Sequence, residues 1–141
     1  MNSAEHELAV IKEIVQRNKQ ERFLSFIANP KNRGKFTREL PNFSWFEPRF
    51  MTPVPWRVDP NLSLWGKHLQ GNENTSRLLH SKGAGETCWV ISSNLRIDCK
   101  EMDLNAAIEK ISGSAWGTVL SCIPGKLAYF QGEYESLLLA K

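Results

Sequence analysis

Two short apolar runs joined by a proline-glycine pair constrain the fold of this chain more than any other feature. The runs cover residues 118–123 and 126–130, and Pro124 and Gly125 lie between them. Proline restricts φ to the value needed at the first corner of a type II turn, and glycine accepts the positive φ of the second corner. Both faces of each run are apolar, which is typical of strands that are covered on both sides. The sequence therefore predicts a doubly covered β-hairpin.

Side chains of the first run are expected to alternate between the two faces of the sheet. Val119, Ser121 and Ile123 fall on one face, and Leu120 and Cys122 fall on the other, because successive strand residues point in opposite directions. We therefore expect Ser121 and Cys122 to lie on different sides of the sheet, where they cannot line one pocket together.

A strand and a helix are predicted before the hairpin. Residues 86–97 alternate in apolar character and are rich in strand-forming residues, and a short helix is expected at 76–82. Asp103 is suited to cap a helix that ends near Gly113. The apolar residues of this helix have the spacing of one helix face, and that face must pack against a sheet. They are Leu104, Ala107, Ile108 and Ile111. Residues 86–133 should therefore form a strand, a helix and a hairpin in a small sheet of at least three strands.

The first 31 residues are predicted to be helical. Leu8, Ile11 and Val15 have helical spacing, and the apolar pattern resumes at Phe23 after a polar stretch. The pattern indicates either one long helix over 3–28 or two helices that break near Asn18. Pro30 ends it, because a proline disfavours helical geometry in the preceding residue.

Residues 32–65 combine frequent prolines with many aromatic side chains. Prolines at this density prevent a long regular element, while the aromatic rings are too apolar to remain in water. We expect a packed irregular wrap that can include one short helix. The complete prediction is a single α+β domain over 1–141, with helices first, then the wrap, then the strand-helix-hairpin unit.

Composition places the chain among ordinary globular proteins. It has 141 residues, of which 41% are hydrophobic and 23% are charged. The first residues lack the pattern of an export signal, and no apolar run approaches the ~18 residues needed to span a bilayer. Three cysteines without such a signal indicate free thiols in a reducing compartment. These features predict a cytoplasmic protein without membrane contact.

Four segments resemble parts of a family of small bacterial proteins for which no activity has been characterised. They are NPKNRGKF, EPRF, TCWVIS and GTVLSCIPGKLAYFQGE, within residues 23–133. The resemblance implies a single bacterial cytosolic domain. It implies no activity and no site residues.

Basic residues are concentrated near the N-terminus. Residues 17–38 contain a single acid, Glu21, and seven basic side chains: Arg17, Lys19, Arg22, Lys31, Arg33, Lys35 and Arg38. Cations interleaved with phenylalanines suit phosphates and stacked bases, so binding of RNA, DNA or a nucleotide is one hypothesis. The alternative is a solvated charged face whose phenylalanines point into the core.

A thiol-dependent enzyme is a further hypothesis. A nucleophile needs a base within hydrogen-bond reach, and His80 is the candidate base for Cys88 or Cys122. No recognisable catalytic signature surrounds either cysteine. We therefore favour a non-catalytic role and assign no catalytic residue.

No metal or cofactor is predicted. His68, His80, Cys88 and Cys99 have suitable ligand atoms, but their spacing matches no zinc finger or ribbon. The acidic residues between 98 and 103 are typical of a turn followed by a helix cap rather than of a cation site.

Aromatic residues of the wrap are the leading candidates for binding a partner. Tryptophans that stay partly exposed are enriched at protein interfaces. The candidates are Trp45, Phe46, Trp56 and Trp65. An exposed surface of these rings predicts a small interaction protein of the inhibitor, immunity or accessory-subunit type. Such a protein would bind another protein or a second copy of itself through this surface. The alternative is that these rings form a lid on the core.

Overall fold

The computed structural model describes residues 3–54, 67–111, 117–132 and 135–141. Within these ranges the chain forms five α-helices and a six-stranded sheet. The helices are α1 (Ser3–Glu13), α2 (Gln20–Ile27), α3 (Arg33–Glu39), α4 (Lys67–Ser81) and α5 (Leu104–Ile111). The strands are β1 (Met51–Pro53), β2 (Thr87–Ser92), β3 (Lys100–Asp103), β4 (Thr118–Ile123), β5 (Leu127–Gln131) and β6 (Ser136–Ala140). This is the α+β class that the sequence predicts.

All neighbouring strands in the sheet are antiparallel, and their order is β1-β6-β5-β4-β2-β3. The three strands expected from the sequence, β2, β4 and β5, are adjacent at its centre. Three further strands extend the sheet: β3 on one side, and β6 followed by β1 on the other. The sheet is thus twice the minimum size that the sequence predicts.

The hairpin between β4 and β5 is confirmed. The backbone N–H of Lys126 donates to the carbonyl oxygen of Ile123 over 3.0 Å, and Gly125 has a φ of 72°. These are the bond and the positive φ of a turn with Pro124 and Gly125 at its corners. Both faces of the hairpin are covered, as its two apolar faces predict.

Side-chain alternation along β4 holds until the strand reaches a bulge. Val119 and Ser121 face α1, whereas Leu120 and Cys122 face α5. The predicted separation of Ser121 from Cys122 is therefore correct. The prediction for Ile123 is wrong, since this residue packs on the α5 side. Its pairing register shifts after Ser121, and an extra residue in a strand reverses the alternation beyond it.

Hydrophobic cores lie on both faces of the sheet. The N-terminal core is the layer between the sheet and α1, α2 and α3, where Phe23, Phe36 and Phe46 are fully buried. The C-terminal core is the layer between the sheet and α4 and α5, and it includes Leu79 and Leu104. The fold thus has three layers, with helices outside a central sheet.

Two helices, rather than one, form the N-terminal segment. A 3-10 turn at Arg17–Lys19 separates α1 from α2, which agrees with a break near Asn18. The side-chain amide of Gln20 donates to the carbonyls of Lys12 and Val15. These bonds satisfy backbone acceptors at the end of α1, where no further helical N–H is available.

The wrap contains more regular structure than predicted. Its described part holds α3, 3-10 turns at Phe43–Trp45 and Pro48–Phe50, and β1. One short helix was expected there, but β1 was not, because three residues that include a proline carry no strand signal. Trp56 and Trp65 lie outside the described residues.

The segment between the wrap and the hairpin also differs in part from the prediction. The helix expected at 76–82 is the end of the longer α4 (Lys67–Ser81). The cap at Asp103 is confirmed, since its Oδ2 accepts the backbone N–H of Ala106 over 2.9 Å.

No helix in the described ranges has the length and apolar character needed to cross a lipid bilayer.

Candidate functional site

An open cleft lies at the β1 edge of the sheet. Its volume is about 500 Å³. Most of its lining side chains are apolar, and they come from the wrap and from the start of β6: Phe43, Pro48, Met51, Pro53, Val54, Glu135, Ser136 and Leu137. A cavity of this volume with mainly apolar walls is of the kind that binds a ligand or the side chains of a peptide.

Phe43 forms the exposed rim of the cleft. Phe43 is 45% exposed. The preceding Asn42 accepts the backbone N–H of Ser44 over 3.0 Å, and this bond fixes the 3-10 turn that carries Phe43. Leu95 is also strongly exposed, at 84%, but it lies in the turn between β2 and β3 and does not line the cleft.

Ser136, which lines the cleft, carries a buried hydroxyl. Ser136 is 3% exposed, and its Oγ has no partner among the described residues. A hydroxyl withdrawn from water without a hydrogen bond raises the free energy of the folded state.

The edge strand beside the cleft is poorly suited to pairing with another strand. The N–H of Val54 donates to the carbonyl of Ser136 over 2.9 Å, so the alternating backbone groups of Met51 and Pro53 face away from β6. Proline has no N–H to donate, and β1 has only three residues. The cleft is therefore suited to binding side chains rather than to extending the sheet.

The predicted aromatic site is only partly at the surface. Phe46 is fully buried and packs edge-to-face against Phe130 at 5.7 Å, so its ring belongs to the core rather than to the exposed surface. Trp45 is half-buried between Phe23 and Lys19. Within the described wrap, Phe43 is the most exposed large apolar side chain.

The cleft residues were not identified from the sequence. The cleft is completed by residues 135–137, which lie far along the chain from Phe43. The Asn42 cap is the signal that identifies the turn carrying Phe43, because asparagine favours such positions.

The predicted basic site is divided by the fold. Arg33 is largely enclosed, and Arg22 pairs with Glu39 over 2.7 Å. The remaining members are exposed or half-buried, on the 3-10 turns and on α3: Arg17, Lys19, Lys31, Lys35 and Arg38. Two of the seven predicted contacts with nucleic acid, Arg22 and Arg33, are thus engaged in ion pairs within the protein.

Arg33 binds two carboxylates at once. Its Nη1 donates to Glu7 Oε1 over 2.5 Å, and its Nε and Nη2 donate to Asp98 over 3.1 and 2.9 Å. Trp89 Nε1 donates to the same oxygen of Glu7 over 3.3 Å. Burial raises the pKa of Glu7, and the charge and hydrogen bonds of Arg33 oppose that rise. The cluster ties α1 and α3 to the turn after β2.

The proposed thiol nucleophiles are disfavoured by their surroundings. Burial raises the pKa of Cys122 to about 12 and also raises that of Cys88, so both thiols stay protonated near neutral pH. His80 is exposed, and its Nδ1 lies 3.2 Å from the carbonyl of Ala84. The described structure therefore provides no activated thiol at these positions.

Ser121 does have a histidine beside it. Its Oγ lies 2.7 Å from Nδ1 of His6, which is stacked on Trp89. Ser121 is 0% exposed and His6 is 5% exposed, so a substrate has no access to the pair. The contact resembles a catalytic dyad in its atoms, but its burial makes it a link between α1 and β4.

No metal site is formed by the described residues. Among them, no three His, Cys, Asp or Glu side chains are grouped in a way that would hold an ion. Asp98 binds Arg33, and Asp103 caps α5. The side chain of His68 lies outside the described part.

No protein family, curated protein or solved structure matches the chain. The resemblance to small bacterial proteins therefore remains an expectation.

Proposed function

We propose that this is a small cytoplasmic bacterial protein without catalytic activity, which binds a peptide segment of a partner protein in the cleft beside Phe43. The observation that carries this proposal is the exposed apolar cleft of about 500 Å³ at the β1 edge. Large apolar side chains are rarely left in water without a role when they border a concave apolar surface.

The composition of the cleft specifies the ligand. Phe43, Pro48, Met51, Pro53 and Val54 favour one or two large apolar side chains. A peptide segment can supply such side chains from neighbouring positions. Since Pro53 weakens pairing along β1, the side chains rather than an added strand should provide most of the affinity.

Peptide selection with a matched pair of variants tests this proposal. A random peptide library displayed on phage is selected on the wild-type protein, and the dissociation constant of each selected peptide is measured by fluorescence anisotropy. Phe43→Arg introduces a charge into the cleft, whereas Leu95→Arg introduces the same charge at an exposed apolar residue outside it. We expect Phe43→Arg to raise the dissociation constant at least about tenfold, equal to about 1.4 kcal/mol, and Leu95→Arg to leave it unchanged.

Several results would contradict the proposal. Equal effects of the two variants would place binding elsewhere, and failure to select any peptide would argue against a peptide site. Sedimentation velocity addresses the alternative of self-association. A wild-type dimer that Phe43→Arg converts to monomer would show that a second copy, rather than another protein, occupies the cleft.

A further inference from the structure

A second cavity lies on the other side of the turn that borders the cleft, and its side chains are mostly charged. It has a volume of about 580 Å³, at the junction of the end of α1, the 3-10 turn before β1 and the residue after β6. Pro48 and Met51 line the cleft, whereas Arg49 and Phe50 line this second cavity. The two cavities therefore have different chemistry although they share one turn.

Positive charge exceeds negative charge among the lining side chains. They include four cations, Lys12, Arg17, Arg49 and Lys141, and two carboxylates, Glu13 and Glu47. These six side chains carry a net charge of +2, compared with +3 for the whole chain. Charge of one sign concentrated in a concave site attracts a ligand of the opposite sign.

Each carboxylate is already paired with a cation. Lys141 binds Glu13, and Arg49 Nε lies 3.4 Å from Glu47. Hydrogen bonding to Lys141 lowers the pKa of Glu13, so this carboxylate is charged at neutral pH. Lys12 and Arg17 form no ion pair with any residue that the structure describes. The uncompensated positive charge is therefore located on these two side chains.

The surrounding backbone and side chains hold this cavity in shape. Gln20 bonds to the carbonyls of Lys12 and Val15 over 3.1 and 3.0 Å, which fixes the segment that carries Lys12 relative to α2. The ring of Phe50 lies 5.2 Å from the Arg49 guanidinium and 5.8 Å from the Lys141 ammonium. A cation near an aromatic ring is attracted to it, so these contacts hold the two paired cations against one apolar wall.

We propose that this cavity binds a small organic phosphate monoester, with its phosphate group on Lys12 and Arg17. A phosphate monoester carries almost two negative charges at neutral pH, which matches the net charge of the lining. Arginine and lysine are the usual phosphate ligands in proteins. About 580 Å³ exceeds the size of a bare phosphate ion and falls within the range for small-molecule sites. This site is independent of the proposed peptide cleft.

Isothermal titration calorimetry with matched double variants tests the site. The probes are adenosine monophosphate, adenosine and inorganic phosphate. Lys12→Gln with Arg17→Gln removes the two unpaired cations, and Lys35→Gln with Arg38→Gln removes the same charge from α3. We expect adenosine monophosphate to bind more tightly than either other probe. The first double variant should raise its dissociation constant at least about tenfold, by about 1.4 kcal/mol, and the control should not.

Other outcomes would overturn the site. Inorganic phosphate that binds as tightly as adenosine monophosphate indicates an adventitious ion only. If adenosine binds as tightly as adenosine monophosphate, the phosphate group has no role in binding. If both double variants lose the same affinity for adenosine monophosphate, the protein attracts it only through its general positive charge. Single-stranded RNA whose binding depends on Lys35 and Arg38 rather than on Lys12 and Arg17 would favour a nucleic-acid surface on α3. Thermal unfolding of both variants establishes that each is folded.

Discussion

Ser121 Oγ lies 2.7 Å from Nδ1 of His6, although the two residues are 115 positions apart in the chain. Both side chains are buried, so each depends on the other for a hydrogen bond that water cannot replace. The contact connects the first helix to a central strand of the sheet. Removing one partner should therefore destabilise the fold.

Ser121→Ala tests this link. Because the variant leaves the imidazole nitrogen of His6 without its bond in a buried position, we expect the free energy of unfolding to fall by about 1–3 kcal/mol. Ser44→Ala, at an exposed position, should change it by less than about 0.5 kcal/mol. Urea denaturation measures both. A Ser121→Ala protein as stable as Ser44→Ala would show that the bond contributes little.

The stability contributed by His6 should depend on pH. Burial lowers the pKa of His6 from its ordinary value of 6.5, against the opposing charges of Glu5 and Glu101. The unfolded chain then binds a proton more readily than the folded protein. The contribution of His6 to the free energy of unfolding is therefore fully present above pH 6.5, and it falls as the pH drops towards the lowered pKa.

Urea denaturation at about pH 7.5 and about pH 5.5 measures this dependence. We expect His6→Asn to lose less stability than the wild type between the two values, because it has no imidazole to protonate. His80→Asn, which changes an exposed histidine, should behave as the wild type does. Glu7, whose pKa is raised, also makes stability depend on pH. Because Glu7 is present in the wild type and in both variants, its contribution cancels in the comparison. An identical loss in His6→Asn would contradict the assignment.

Arg33 is expected to act as a structural residue. Arg33→Ala leaves Glu7 and Asp98 without their cation. We expect a loss of about 3 kcal/mol, the lower end for breaking a buried ion pair, because 27% of the arginine side chain remains exposed. Arg33→Lys should lose less, as lysine keeps the charge without the two-pronged geometry. Arg38→Ala, on the exposed side of the same helix, should lose less than about 0.5 kcal/mol. Equal losses at 33 and 38 would refute this role.

Thiol reactivity should divide the cysteines into two groups. Cys99 is exposed, whereas Cys88 is buried and Cys122 is largely enclosed with a pKa of about 12. We expect one thiol to react rapidly with an aromatic disulfide reagent in the native protein, and all three to react in denaturant. Cys99→Ser should abolish the rapid phase. A rapid phase that survives this change would revive the thiol-enzyme hypothesis.

Gly125 and Gly34 should respond to alanine in opposite directions. Gly125 has a φ of 72°, and an added Cβ would lie 2.9 Å from the Cγ of Glu13 and 3.2 Å from the carbonyl oxygen of Ala9. We expect Gly125→Ala to destabilise the protein by at least about 1–2 kcal/mol, the usual cost of left-handed backbone in other residues. Gly34 is in α3 with open space around it, so its change to alanine should stabilise by about 0.5–1 kcal/mol. Thermal unfolding measures both, and a stable Gly125→Ala would contradict the turn geometry.

Local sequence patterns predicted the elements that have clear periodicity. Alternation identified β2, β4 and β5, and the Asp103 cap together with helical spacing identified α5. Two helices broken near Asn18 were one of the stated alternatives. β3, whose sequence is KEMD, shows no apolar alternation, and β1 contains a proline. These two become strands because an adjacent strand supplies hydrogen bonds, and that information is not local.

The sequence by itself determined the α+β class, the covered hairpin and the opposite orientation of Ser121 and Cys122, because backbone geometry links neighbouring residues to periodic faces. Only the tertiary structure decided which distant residues meet. The packing of α1 on the sheet brings His6 to Ser121, folding encloses Arg33 between two carboxylates, and the pairing of β1 with β6 places Phe43 and Ser136 at one cleft. Such contacts depend on the summed packing of the whole sheet and its helices, which no short stretch of sequence encodes.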